Sequence, residues 1–152
     1  MNIEIDDLER QPVRELLAGH RAQMLTMSPA CSVHALDLDR LRQPGIHVWT
    51  AWEGELLLGC GALKELTPLH GEIKSMRTAD AHRGKGIGRT MLSHLLAVAR
   101  ERGYERVSLE TGATPAFLPA LRLYESAGFQ RCGPFADYRE DPHSVYMTRL
   151  LD

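Results

Sequence analysis

Three glycines alternate with other residues in the run HRGKGIGRTM, residues 82–91. Gly84, Gly86 and Gly88 let the backbone approach a ligand and take φ values that other residues avoid. An apolar-periodic run follows, so the stretch reads as a loop that ends at a helix start. The first-turn N–H groups of a helix have no partner inside it, and with the helix dipole they form an anion site. Arg83, Lys85 and Arg89 add positive charge. The implied chemistry is the grip of a phosphate or diphosphate.

Spacing narrows the choice of phosphate. The pattern GxxxxGK followed by Ser or Thr fails, because Lys85 lies between glycines. The dinucleotide pattern GxGxxG started at Gly84 requires glycine at position 89, which is Arg89. Glu110 ends the next strand and keeps a nucleotide-binding module open. Against it stand the three side-chain cations and the lack of a second βαβ half.

The elements that must position this loop follow from periodicity. Residues 2–6 alternate as an edge strand, and 10–25 place Val13, Leu16, Leu17 and Leu25 near helical spacing. Residues 26–33 read as loop, and a short helix is expected around 34–42, before Pro44. Residues 46–52 and 56–63 form a hairpin about Glu53-Gly54-Glu55. Residues 71–79 are a longer strand whose alternation slips at Ser75-Met76, where a bulge would restore the phase.

After the glycine loop, Ile87, Met91, Leu92, Leu95, Leu96 and Ala99 mark one helix face. Arg100 and Arg102 suit the negative end of that helix, and Gly103 can cap it. Residues 106–111 are a strand. Residues 117–127 are a helix with Pro119 in its first turn and Gly128 after its end. Short strands are expected at 129–132 and 144–150. The order is βααβββαβαββ, an α/β fold with a mixed, mostly antiparallel twisted sheet flanked by helices.

Bulk properties fit this reading. The 152 residues suit a single domain, 1–152. The formal net charge of −2 gives no electrostatic footprint for nucleic acid. No apolar run approaches the ~18 residues of a membrane span, and the acidic N-terminus is no signal peptide. Cys31, Cys60 and Cys132 have no paired spacing and read as reduced thiols of a cytoplasmic protein. The seven histidines show no zinc spacing, so no metal is expected. Cys60 reads as a core thiol. Trp49 and Trp52 should face opposite sides of a strand, one in the core and the other on an acceptor groove or subunit contact.

Two motifs carry a family resemblance. Arg83-Gly84-Lys85-Gly86-Ile87-Gly88 matches R/Q-x-x-G-x-G/A, and Leu123-Tyr124-Glu125-Ser126-Ala127-Gly128-Phe129 resembles an LYxxxGF segment. With the element order, they make residues 3–150 resemble the GNAT acetyltransferase superfamily. The resemblance implies acetyl-CoA as co-substrate. Its pyrophosphate would lie on the N–H groups of residues 84–88, near Arg83, Lys85 and Arg89. Met76, Arg77 and Thr78 would pair with the pantetheine amides, on a strand that splays from its neighbour near Ser75-Met76.

The resemblance also implies Tyr124 as the acid for the departing thiolate and Glu72, eleven residues before Arg83, as the base for the acceptor amine. His47, His70, His143 and Glu110 are substitutes for that base. Residues 20–43, with His20, Arg21, Ser28, His34 and Asp37, and residues 133–144 would face the acceptor. Arg21, Arg139 and the acidic residues suit a small amine or amino-acid-like molecule. A peptide or protein amine is an alternative, and members are often homodimers. A non-catalytic acyl-CoA-binding domain would keep the loop without the chemistry, and Tyr124 and Glu72 favour the enzyme.

Overall fold

The computed structural model describes residues 1–29 and 38–152. The strands are β1 (Asn2–Asp6), β2 (Ile46–Glu53), β3 (Leu56–Thr67), β4 (His70–Thr78), β5 (Arg106–Gly112), β6 (Gln130–Cys132) and β7 (Ser144–Leu150). The helices are α1 (Gln11–Met27), α2 (Leu38–Leu41), α3 (Ile87–Glu101) and α4 (Leu118–Ser126). This is the βααβββαβαββ order expected from periodicity. Cys31, His34 and Asp37 lie outside the described residues, as does the first part of the helix expected at 34–42.

The seven strands form one sheet in the order β1-β2-β3-β4-β5-β7-β6. Among the described residues only β4 and β5 pair in parallel, with α3 as the crossover between them. The α3 face carries Met91, Leu92, Leu95 and Ala99 into a core with Trp49, Ile73, Leu109 and Tyr124. A second core lies under α1 and α2, where Val13, Leu17 and Leu41 meet Val48, Trp52 and Cys60. Trp49 and Trp52 thus face opposite sides, but both are buried, and neither lines a groove. Each is worth more to packing than to recognition: Trp52 Nε1 donates to Thr50 Oγ1 at 2.8 Å, and Arg10 lies over its ring.

Two departures from sheet regularity shape the centre. Cys60 pairs with Arg77 and Ala62 with Lys74, so two steps on β3 match three on β4. The extra residue is the bulge expected at Ser75-Met76, and Ser75 is left-handed with φ 53°. Such a conformation costs a non-glycine residue about 1–3 kcal/mol. The second departure is the parallel pairing itself. It runs only from His70↔Arg106 to Ile73↔Leu109 and then stops. The strands part after Ile73, before the bulge rather than at it.

Candidate active site

Where β4 and β5 part, a cleft of about 690 Å³ opens. One wall is Glu72 to Thr78 of β4, and the other is Glu110 to Gly112 of β5 with Tyr124 of α4. His20, Gln23, Met24 and Met27 of α1 roof it. The glycine loop closes one end through Gly84, Gly86, Gly88, Arg83 and Arg89.

The loop has the conformation its composition suggested. Gly84 and Gly86 have φ of 77° and 79°. Gly86 is the N-cap of α3 and, like any glycine, offers no side-chain cap, so the first-turn N–H groups are left to face outward. A Cβ on Gly88 would come within 3.3 Å of Leu123, so glycine there lets α4 close on the helix start. Arg83 and Arg89 are exposed at the cleft mouth. Lys85 reaches His82 Nδ1 at 3.1 Å and does not line the cleft, and the Ile87 side chain is core. A diphosphate-bearing group fits this end: open glycines, uncapped N–H groups and arginines converge there.

At the splay, Glu72 is only 2% exposed. Tyr138, from the connection between β6 and β7, donates its hydroxyl to Glu72 Oε2 at 2.5 Å. Lys74 Nζ donates to the same oxygen at 3.1 Å and to Tyr138 Oη at 2.8 Å. Burial, then the Glu72 charge, pushes the Tyr138 phenol far up, so it stays a donor. Left-handed Ala136 turns the connection, and Phe135, edge-on, and Tyr146, tilted, pack against Tyr138 and hold it.

Glu110 is the first residue of β5 past the last pair with β4. Burial pushes its carboxyl up to about 7, with the Ser144 hydroxyl and then Lys74 opposing and Glu72 and Asp141 adding to the rise. Tyr124 is buried against Phe129 in an edge-on contact. Burial and then the Glu110 charge push its phenol well up, so it holds its proton. Its hydroxyl has no hydrogen-bond partner among the described residues, although its ring lines the cleft.

The structure therefore brings together Tyr124, Glu72, Met76, Arg77, Thr78, Arg83, Gly84, Gly86, Gly88 and Arg89. Of the substitutes for the base, only Glu110 joins them. His70 bonds to Ser108 at 2.7 Å and His47 to Arg102 at 3.0 Å, both away from the cleft, and His143 is exposed on the connection before β7. Arg21 and Arg139 are exposed and do not line it either. Among the described residues no group of His, Cys, Asp and Glu could hold a metal ion. No described helix is long and apolar enough to cross a membrane.

Against known proteins, the acetyltransferase (GNAT) family matches residues 13–129, well over half the chain. The chain belongs to the GNAT acetyltransferase family. Its GNAT relatives include the uncharacterized N-acetyltransferase YsnE of Bacillus subtilis (strain 168), 56% identical over 99% of this chain and 100% of that one. The IAA acetyltransferase of Azospirillum brasilense is 37% identical over 81% of this chain and 80% of its own. Among solved structures, an acetyltransferase from Bacillus subtilis in complex with CoA superposes with a TM-score of 0.73 at 20% identity, covering 99% of this chain and 98% of that one. The GNAT chain is thus an enzyme of the acyltransferase class, an N-acetyltransferase.

Sequence reasoning gave two residues of this cleft less than their part. Tyr138 was hidden in a turn-rich connection, and its only local signal was an aromatic pair, Phe135 and Tyr138, ahead of Tyr146. The Arg77 side chain was overlooked because only its backbone had a proposed use.

Proposed function

We propose that the chain transfers the acetyl group of acetyl-CoA directly to the amine of a small, amino-acid-like acceptor. One observation carries this reading: a single cleft joins the glycine loop to a buried phenol and two carboxylates at the parting of β4 and β5. The A. brasilense relative, an IAA acetyltransferase by name, supports a small molecule as acceptor. The CoA-bound structural neighbour supports CoA as the carrier of the acetyl group.

In this reading the N–H groups of residues 84–88 take the diphosphate, with Arg83 and Arg89 beside it. Lys85 and Ile87 serve through their backbone. Met76, Arg77 and Thr78, whose edge towards β5 is unpaired, hydrogen-bond the pantetheine amides. A backbone N–H among them polarises the thioester carbonyl, as oxyanion donors do.

The acceptor arrives as an ammonium ion and must lose a proton before its nitrogen attacks the carbonyl carbon. Glu72 receives the amine and takes that proton, directly or through water, with Glu110 across the cleft as second carboxylate. The C–S bond then breaks as Tyr124 gives its proton to the thiolate sulfur, and the second proton shed by the new amide nitrogen, passed through water, restores the phenol. Burial raises the basicity of phenolate and thiolate alike, which keeps donor and acceptor matched. Reduced thiols and a CoA donor suit a cytoplasmic enzyme.

The test is thiol release from acetyl-CoA against a panel of small amines and peptides. Acetylated product with small amines is expected. CoA binding without transfer to any amine would leave a binding domain and end this reading.

A further inference from the structure

Arg77 carries a charge that no described group fully neutralises. The bulge sets its direction. Around left-handed Ser75, Met76 joins Ile73 on the α3 side, while Arg77 turns into the cleft beneath α1. One guanidinium N–H reaches Gln23 Oε1, and another reaches Asp80 Oδ1 at 3.3 Å. The Asp80 side chain is 76% exposed and also serves Arg83 at 2.9 Å. A carboxylate shared in this way and screened by water offsets little of a charge whose own side chain is only 12% exposed. The Arg77 Nε–H is buried and has no acceptor among the described residues.

His20 adds a second orphan. It lies three residues before Gln23 on α1, lines the same cleft, and has a buried Nδ1 with no partner among the described residues. Burial, then the Arg77 charge, pushes this imidazole down to about 4. The ring is therefore neutral near pH 7 and can donate one N–H, while Arg77 supplies the charge. Native proteins rarely leave two buried nitrogens of one cleft unmet. Both are suited to an anionic oxygen group. The cleft is bipolar, with Glu72 and Glu110 at the splay and Arg77 under α1.

The geometry points to Arg77, assisted by His20, as the receptor for a carboxylate on the acceptor, so the amine substrate is an amino acid or another carboxylate-bearing amine. This deepens the acetyl-transfer reading above and rests on it. Guanidinium donors suit such a group because they match a carboxylate in a planar fork. The cleft floor, rather than the exposed Arg21 or Arg139, provides the positive end.

The test compares rates of thiol release with L-amino acids, β-alanine and 4-aminobutyrate against amines of the same chain lacking the carboxyl group. The wild type is expected to prefer the carboxylated acceptors. In Arg77→Met the ratio of kcat/KM between the two classes is expected to fall by about 10- to 100-fold, the worth of a charge-assisted hydrogen bond. Arg77→Lys should recover part of that ratio. Equal losses for both classes, a rise in the KM for acetyl-CoA alone, or a wild-type preference for the plain amines would overturn the inference and leave acetyl transfer standing.

Calorimetric titration with N-acetyl amino acids gives a readout independent of turnover. The wild type should bind them at least about tenfold more tightly than Arg77→Met, and equal affinities would refute the assignment. A wild type inert towards every amine sinks acetyl transfer instead, and calorimetry still decides on Arg77.

Discussion

The Tyr138 hydroxyl lies 2.5 Å from the Glu72 carboxylate, across 66 residues of chain. Lys74 touches both groups, so the three form a closed triangle. Tyr138→Phe keeps the edge-on and tilted ring contacts with Phe135 and Tyr146 and removes only the hydroxyl. Glu72 then keeps Lys74 but loses its other donor. A stability loss of about 1–2 kcal/mol is expected from the missing bond to a charged group. Steady-state rates should fall about tenfold as Glu72 loses its fixed orientation. Thermal melts and kinetics on the same preparation check both numbers, and an unaltered variant would mean that the β6–β7 connection only covers the sheet.

Tyr124→Phe separates packing from chemistry. The phenyl ring can keep the edge-on contact with Phe129, at a centroid distance of 5.9 Å. Folding should therefore be little altered. If the hydroxyl protonates the leaving thiolate, kcat falls about 10²- to 10⁴-fold, while the KM for acetyl-CoA stays close to wild type. Unchanged turnover would remove the acid role.

Glu110 predicts a pH dependence with a definite sign. Its carboxyl is pushed from 4.5 up to about 7, chiefly by burial. Between those values the folded protein holds a proton that the unfolded chain has lost. The stability it contributes is therefore full below 4.5 and is lost as pH rises through about 7. Urea midpoints for wild type should drop across that window, and Glu110→Gln should flatten the drop. The Ser144 hydroxyl, Lys74, Glu72, Asp141 and the phenols of Tyr124, Tyr138 and Tyr146 face or adjoin this carboxyl. The observed midpoint belongs to that group as a whole.

Gly86→Ala tests the donor end. An added Cβ meets nothing within 4 Å, so any effect comes from the left-handed φ of 79°. That strain costs about 1 kcal/mol and rotates the N–H groups at the start of α3. The KM for acetyl-CoA is expected to rise about tenfold, for about 1.4 kcal/mol of lost binding, with the acceptor KM nearly unchanged. Gly54→Ala is the control. It has a φ of 58° with open space around it in the turn between β2 and β3, so it should lose similar stability without moving either KM.

Much of this architecture was written in local pattern. The hairpin, the glycine loop and the apolar stripe of α3 each have a short-range period, and a phase slip of one residue marked the bulge at Ser75. The splay was placed slightly late, because where β4 leaves β5 depends on pairing between residues 36 positions apart, Ile73 with Leu109. The burial of Glu72 was invisible for the same reason. A glutamate on a strand reads as solvated until Tyr138 arrives from the far end of the chain. Trp49 and Trp52 were split correctly between two faces, but periodicity does not reveal that helices cover both. The orphaned Nε of Arg77 depends on α1 lying over β4, which no local spacing encodes.

The parting of β4 and β5 divides the cleft by the kind of atom each part offers. In the proposed reading, residues 76–78 and 84–88 hold the donor through backbone amides, and side-chain identity matters there mainly where glycine is needed. In the same reading, recognition of the acceptor falls to side chains from α1 and from the β6–β7 connection that carries Tyr138. Mutation can therefore rewrite one half while the other stays readable by the same nucleotide handle. A scaffold divided in this way can change its acceptor through a few positions, such as 20, 77 and 138, and still accept the same acyl carrier.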